Sequence, residues 1–191
     1  ELVYGGKMRK EDILANEDGV FPVPLQVEKI FNGKREQWKD GWKNIIAFGD
    51  NLQFLKTIYE NKDPLIKDKV KGKVKLIYID PPFATDDEFQ NKEGVKAYND
   101  RVKGADFIEF LRRRLIVARE ILADDGCLFL HCDWRMASYI KITLDEVFGK
   151  EKFVNEIIIC YSGPANQKNN FPRKHDNIYY YRKNSKGIFN V

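Results

Sequence analysis

Val74-Lys75-Leu76-Ile77-Tyr78-Ile79 runs without a spacer into Asp80-Pro81-Pro82-Phe83, and this junction constrains the chain more than any other feature. A short run of β-branched and aromatic residues predicts a buried strand. The two prolines then stop it, because neither nitrogen can donate to a sheet ladder and each ring holds φ at about −65°. An acid therefore sits at the end of a buried strand, with a stiff turn directly behind it.

The flanking sequence supplies the rest of a sheet. Asn44-Ile45-Ile46-Ala47-Phe48 predicts another short strand, turned by Gly49-Asp50-Asn51. Leu52, Leu55, Ile58 and Tyr59 follow at helical spacing and predict a helix of about ten residues. From Ala84 to Gly104 the chain is polar, with acids and bases nearly balanced. A loop of about twenty residues in a compact domain is usually functional, and this one follows the acid-proline turn and is expected to close over a ligand. Phe107, Leu111, Leu115, Ala118 and Leu122 then mark the apolar face of a strong helix, with Arg112, Arg113 and Arg114 assigned to its wet side. Asp124-Asp125-Gly126 predicts a turn, and Cys127-Leu128-Phe129-Leu130-His131-Cys132 a strand apolar on both faces. Ile140, Leu144, Val147 and Phe148 predict a helix closed by Gly149. Ile157-Ile158-Ile159 and Ile178-Tyr179-Tyr180-Tyr181 are the last two strands.

Residues 1–43 lack clean periodicity, and Phe21-Pro22-Val23-Pro24 is extended, so an N-terminal extension wrapping a domain of residues 44–191 is expected. Strands alternating with helices predict an α/β fold with a mostly parallel sheet. Ligands of such sheets bind at the carboxyl ends of the strands, where Asp50, Asp80 and Asp133 would fall.

Composition narrows the classes. With 191 residues, 43% apolar and 13% aromatic, the chain can bury one ordinary core, which excludes global disorder. No apolar run approaches the roughly 20 residues that span a bilayer, and no basic-then-apolar leader opens the chain. Three cysteines without a Cys-x-x-Cys pair fit a reducing cytoplasm better than a disulfide framework. A metal site at His131-Cys132-Asp133 is not expected, because adjacent strand residues point to opposite faces. Net charge is +4, but from Ser162 onward Lys168, Arg173, Lys174, Arg182, Lys183 and Lys186 face one acid, Asp176. Phe171, Tyr179, Tyr180, Tyr181 and Phe189 interleave with them. Bases among aromatics suit a phosphate-rich partner with stackable bases, and Lys168, Arg173, Lys174 and His175 are the candidate contacts. The plainer reading is a solvated edge with ordinary strand tyrosines.

The acid-proline turn suits one chemistry in particular. The exocyclic amine of a nucleobase is a poor nucleophile, because its lone pair is delocalised into the ring. Two acceptors that take its two N–H groups draw the nitrogen toward tetrahedral geometry and free the pair. The Asp80 carboxylate and the Pro81 carbonyl can act as that pair, and Pro81-Pro82 keep the carbonyl rigid. Phe83 offers a flat surface to a base removed from its stack. Against this stands a simple strand-ending turn with Phe83 in the core.

Leu76-Ile77-Tyr78-Ile79-Asp80-Pro81-Pro82-Phe83 resembles the catalytic motif of amino-group DNA methyltransferases. The resemblance runs from about Trp42 to Phe189. It takes in Gly49-Asp50-Asn51-Leu52, Arg119-Glu120-Ile121-Leu122 with Asp125-Gly126, and Leu130-His131-Cys132-Asp133. Leu144-Asp145-Glu146-Val147-Phe148-Gly149, Asn155-Glu156-Ile157 and Lys174-His175-Asp176 continue it in the expected order. It is strongest to the adenine-specific group whose catalytic half precedes its cofactor half, which includes restriction-modification enzymes. The resemblance implies a Rossmann-like, S-adenosylmethionine-dependent sheet with helices on both faces, S-adenosyl-L-methionine as cofactor and double-stranded DNA as substrate. It also implies a flipped adenine as target and a restriction subunit as a candidate partner. Asp80, Pro81, Pro82 and Phe83 would carry catalysis, and Asp50 and Asn51 would contact the cofactor. Two alternatives stay open: the exocyclic amine of cytosine, or an inactive DNA-binding or assembly module. The family's Gly-rich cofactor loop is absent from residues 1–191, and Gly5-Gly6 follows no buried strand. A chain beginning at Glu1 rather than Met is thus expected to be a catalytic half with an incomplete sheet, inactive by itself and a poor binder of the cofactor.

Overall fold

A computed structural model describes residues 1–31, 43–82, 89–90, 96–98, 104–163, 169 and 171–184. Its elements are α1 (Lys10–Leu14), α2 (Asn51–Glu60), β1 (Val74–Ile79), β2 (Phe89–Gln90), β3 (Lys96–Tyr98), α3 (Ala105–Ile121), β4 (Leu122–Asp133), α4 (Ala137–Phe148), β5 (Phe153–Cys160) and β6 (His175–Arg182). Four strands form one sheet in the order β1-β4-β6-β5, and β2 and β3 make a separate antiparallel ribbon within the polar stretch.

The sheet is more antiparallel than the sequence pattern implies. β1 and β4 are parallel, joined through α3, but β6 runs antiparallel to both β4 and β5. The cause lies in the connections: α3 and α4 carry the chain back for another strand in the same direction. Among the described residues no helix lies between β5 and β6, so β6 returns against its neighbours. The strand expected at residues 44–48 is also absent. β1 pairs with β4 alone among the described residues, and Ile46 and Phe48 lie exposed with no neighbouring strand to join.

Strand alternation then sorts the side chains. Ile77 and Ile79, Leu128, Leu130 and Cys132, and Tyr179 and Tyr181 form the core with Phe107, Leu111 and Leu115 of α3 and Ile140, Leu144 and Phe148 of α4. α2 joins the same layer, with Ile58 against Ile121 and Ile77. The opposite face carries Leu76, Tyr78 and Ile157, all exposed, and the stacked rings of Phe129 and Tyr180, 4.5 Å apart. The strand at Cys127–Cys132 is therefore helix-covered on one face, and no described helix covers the other.

The turn expected at Asp124-Asp125-Gly126 lies inside β4 as an irregularity, where the pairing steps from Val74 opposite Leu122 to Leu76 opposite Cys127. Gly126 is required there, since a Cβ would stand 2.7 Å from the Val74 carbonyl oxygen. Gly149 ends α4 with φ at 100°, a conformation that only glycine adopts without strain.

The first residues are built into this layer rather than lying loosely on it. Ile13 is fully buried against Leu52, Ile116 and Val117. Lys7 reaches Glu146 at 2.9 Å, and Lys10 reaches Glu120 at 2.9 Å. The Asp18 carboxylate is fully buried and accepts from both Lys56, itself 1% exposed, and Arg113. Burial alone would raise the Asp18 carboxyl, but hydrogen bonds from Lys56 and Arg113 outweigh it and hold it below the ordinary carboxylate value. The folded state thus releases this proton more readily than the unfolded chain. The resulting stability is full above about pH 4 and drains as pH falls through the folded value. Replacing Asp18 by Asn strands a buried ammonium and should cost about 3 kcal/mol or more at neutral pH. It should also flatten the acid limb of the stability curve. Urea unfolding between pH 7 and 3 measures both, and a loss of under about 1 kcal/mol would assign the pair only the worth of a surface contact.

Candidate active site

The register of β1 against β4 builds the rim. Ile79 is opposite Leu130 as the last matched pair, so Asp80 and His131 come next, side by side. His131 Nδ1 lies 3.4 Å from Asp80 Oδ1. Its Nε2 lies 3.1 Å from Asp176 Oδ2 on β6, and the Tyr161 hydroxyl donates to the same Asp176 oxygen. Exposure falls along this chain of groups: 58% for the Asp80 side chain, 17% for His131 and 13% for Asp176. One accessible carboxylate thus rests on a largely buried imidazole-carboxylate pair, which an exposed phenol caps from the solvent side. Pro81 behind it is buried and Pro82 half-buried, while Phe83 lies outside the described residues.

Asp133 also ends its strand at this rim but is committed elsewhere. It is buried, and its Oδ1 accepts the backbone N–H groups of Arg135 and Met136 ahead of α4 while Oδ2 pairs with Arg135. It sets the entry into a helix and leaves Asp80 as the reachable acid.

Beside it, the exposed Arg173 guanidinium stands 4.5 Å from the centre of the Trp134 ring, with Arg135 at 5.8 Å on the same ring. Lys174 and His175 are half-buried at the start of β6, and Lys168 lies outside the described residues. Basic side chains and an indole therefore gather at the carboxyl end of β4. Trp134 and Arg135 carried no sequence signal beyond following a strand.

A second cluster surrounds the other predicted pair. Asp50 is the N-cap of α2, accepting from Gln53 N at 3.0 Å. Arg114 Nε donates to Asn51 Oδ1 at 2.6 Å, and its Nη2 lies 3.2 Å from Asp50 Oδ2. The guanidinium stacks over Phe110, 3.5 Å from the ring centre. This corrects the assignment of Arg112, Arg113 and Arg114 to a wet face. Arg112 and Arg114 are buried, and each of the three is engaged: Arg112 with Glu109 and Glu146, Arg113 with Asp18, Arg114 with Asp50. A run of three charges spreads over most of a helical turn, so it cannot share one face, and the sequence alone does not reveal partners so far away along the chain.

Cys127 and Cys132 offer no ready nucleophile. Burial, followed by neighbouring carboxylates, pushes the Cys132 thiol up to about 12, and burial also raises Cys127. Among the described residues no group of His, Cys, Asp and Glu side chains is arranged to hold a metal ion.

A strand ending in an accessible acid and a rigid turn, with basic and aromatic side chains on the same rim, defines an α/β protein with a candidate site at the carboxyl ends of its strands. Residues 74–191 match the DNA methylase family N6_N4_Mtase, and the chain belongs to that family, the restriction-modification DNA methyltransferases. Over 99% of its length it is 43% identical to the type II methyltransferase M.EcaI of Enterobacter cloacae, of which it covers 39%. It is 36% identical over 66% of its length to the probable type III restriction-modification enzyme HindVI Mod subunit of Haemophilus influenzae, covering 15% of that protein. The chain therefore spans well under half of these relatives. The solved PvuII DNA methyltransferase, described as cytosine-N4-specific, superposes with a TM-score of 0.50 at 12% identity, over 73% of this chain and 49% of that one. The α/β methyltransferase fold expected from the sequence is thereby shown, although its sheet is more antiparallel than expected and the described helices cover one face rather than both.

Arg114 makes the cofactor-side cluster testable without any ligand. Arg114→Met keeps an apolar contact with Phe110 but removes three hydrogen bonds, to Asn51, to the Phe110 carbonyl and to Asp50, the last charged on both sides. Such bonds are worth about 1.5–3 kcal/mol, so local opening at residues 49–53 should rise by roughly tenfold to a hundredfold. Amide exchange by mass spectrometry reads this directly. Unchanged protection there would mean that the helix cap alone holds the turn.

Proposed function

We propose that the protein is the modification component of a restriction-modification system, with residues 44–191 as its catalytic part. It transfers a methyl group from S-adenosylmethionine to the exocyclic amine of an adenine flipped out of double-stranded DNA. The single observation that carries this reading is Asp80: an exposed carboxylate at the carboxyl end of β1, followed by two prolines and backed by His131.

Asp80 accepts one N–H of the amine and the Pro81 carbonyl the other, which returns the lone pair to nitrogen. The nitrogen takes the methyl as an N–C bond forms and a C–S bond breaks, with the bonding electrons leaving on sulfur. The nitrogen then gives up one proton to Asp80 or to water. No covalent link to the protein is needed, in keeping with a Cys132 thiol too basic to ionise. Phe83, next in the chain, stacks on the extruded base.

S-adenosylmethionine supplies an electrophilic methyl on a sulfonium sulfur. Asp50 and Asn51 fit its polar end: the Asp50 side chain is 47% exposed although Arg114 and Gln53 already orient both oxygens. A carboxylate held so accepts a ligand hydroxyl or amine with little ordering cost. Arg173, Lys174 and His175, with Lys168, meet the DNA backbone beside Trp134. The type III restriction-modification name of the Haemophilus influenzae relative supports a restriction enzyme as partner.

Adenine is favoured over cytosine by the resemblance of Leu76–Phe83 to the adenine-specific group, whereas the family name covers both amines. Digesting methylated DNA to nucleosides and weighing them by mass spectrometry decides the point. N6-methyladenine supports the reading, and N4-methylcytosine replaces it with the cytosine enzyme. In the same assay Asp80→Ala in the full-length protein should lose about a hundredfold or more in rate, the worth of one positioned polar group. A near wild-type rate would remove Asp80 from the chemistry.

The basic rim makes a separate demand. Replacing Arg173 and Lys174 together by Ala should weaken binding of any duplex and lower the slope of log K against log salt by about two. Anisotropy titrations between roughly 50 and 200 mM salt test it, and an unchanged slope would place the DNA elsewhere.

A further inference from the structure

Two acids end parallel strands at the same rim, and they are held differently. Asp133 has the ordinary support of an acid at a turn, the backbone N–H groups two and three residues on. Asp80 cannot have it in full. The two residues after it are Pro81 and Pro82, which carry no N–H, so the usual Asx-turn donor is missing. A carboxylate 58% exposed and without that donor is free to rotate, yet a two-acceptor mechanism requires it in one orientation.

We propose that His131 is the positioning residue for Asp80, and that Asp176 and Tyr161 are its anchor. This rests on the methyltransferase reading above and names a further residue that it needs. The ring is well placed for the task. β4 pairing on both sides fixes its backbone, with Leu130 against Ile79 of β1 and His131 itself against Ile178 of β6. Nε2 is tied to Asp176 at 3.1 Å, and Tyr161 donates to that same carboxylate. Nδ1 then lies 3.4 Å from Asp80 Oδ1, a separation of the kind that closes when an active site fills. With Oδ1 turned to the imidazole, Oδ2 is left for the amine. Among the described residues, the titratable groups that meet the ring are Asp80 from β1 and Asp176 from β6, with Tyr161 beyond β5 reaching it through Asp176.

Three substitutions in the full-length protein separate positioning from mere packing. His131→Asn keeps an N–H near the place of Nδ1, His131→Gln reaches instead toward Asp176, and His131→Phe keeps a ring but no donor. The Phe variant should lose about tenfold or more in kcat, with KM for DNA and for S-adenosylmethionine changed by less than about twofold. Asn should recover most of the rate and Gln little of it. Equal losses in all three variants, or a loss confined to KM, would overturn the proposal.

A second measurement does not depend on the reaction. Residues 1–191 hold two histidines, His131 and His175, and the signals lost in His131→Phe identify the His131 ring nitrogens by ¹⁵N NMR of the full-length protein. Asp80→Ala removes an exposed side chain, leaves the fold intact, and should move the His131 Nδ1 signal while His175 stays in place. A wild-type protein that methylates no DNA would refute the function and leave this coupling standing. His131 signals indifferent to Asp80 would refute the positioning role whatever the enzyme does.

Discussion

The parallel pairing of β1 with β4 is the constraint on which the rim depends. It is held from beneath, where Leu128, Leu130 and Ile79 are pressed against α3 and α4, and that burial sets the register above. Strand periodicity is two, so a slip of one residue would turn His131 toward the helices and Leu130 toward solvent. The apolar core therefore fixes which polar groups meet at the surface. Asp80 has His131 at its side because Ile79 has Leu130, and the same logic on β6 brings Asp176 to the imidazole.

Much of this was legible in the sequence, and the limits have physical causes. Helix α2, strand β1, α4 with Gly149, and the last two strands follow from local periodicity and turn chemistry, and they form where the pattern places them. Ile45, Ile46 and Phe48 have the same strand-like composition, but a strand needs a neighbour, and among the described residues they have none. The direction of β6 was hidden as well, because it depends on a connection rather than on the strand itself. Asp80 and Asp50 could be named from their turns. His131 could be named but not assigned a use, since its partners come from β1, β6 and the chain beyond β5. The ring nitrogens acquire a role only after three separate strands are aligned.

The arginines of α3 show a similar division. Amphipathic spacing correctly marks Phe107, Leu111 and Leu115 as core, and it says nothing about charges that are buried because partners await them. Arg112, Arg113 and Arg114 project from successive positions and reach three different parts of the molecule: α4, the N-terminal segment and the start of α2. One helix thereby fixes both the apolar layer and the polar turn at Asp50. Around the rim, Asp133 and Asp176 are fully employed, so Asp80 keeps the accessible charge.

The N-terminal clamp also has a bearing on the order of events during synthesis. Asp18 meets Lys56 and Arg113, and Lys7 meets Glu146, across 38, 95 and 139 residues of chain. At roughly 5–20 residues per second, the first segment leaves the ribosome many seconds before α4 exists. Throughout that interval Asp18 is a hydrated carboxylate and Ile13 an unsheltered side chain. A segment made ahead of its partners is thus locked only after them, and its closure waits for the helices that follow.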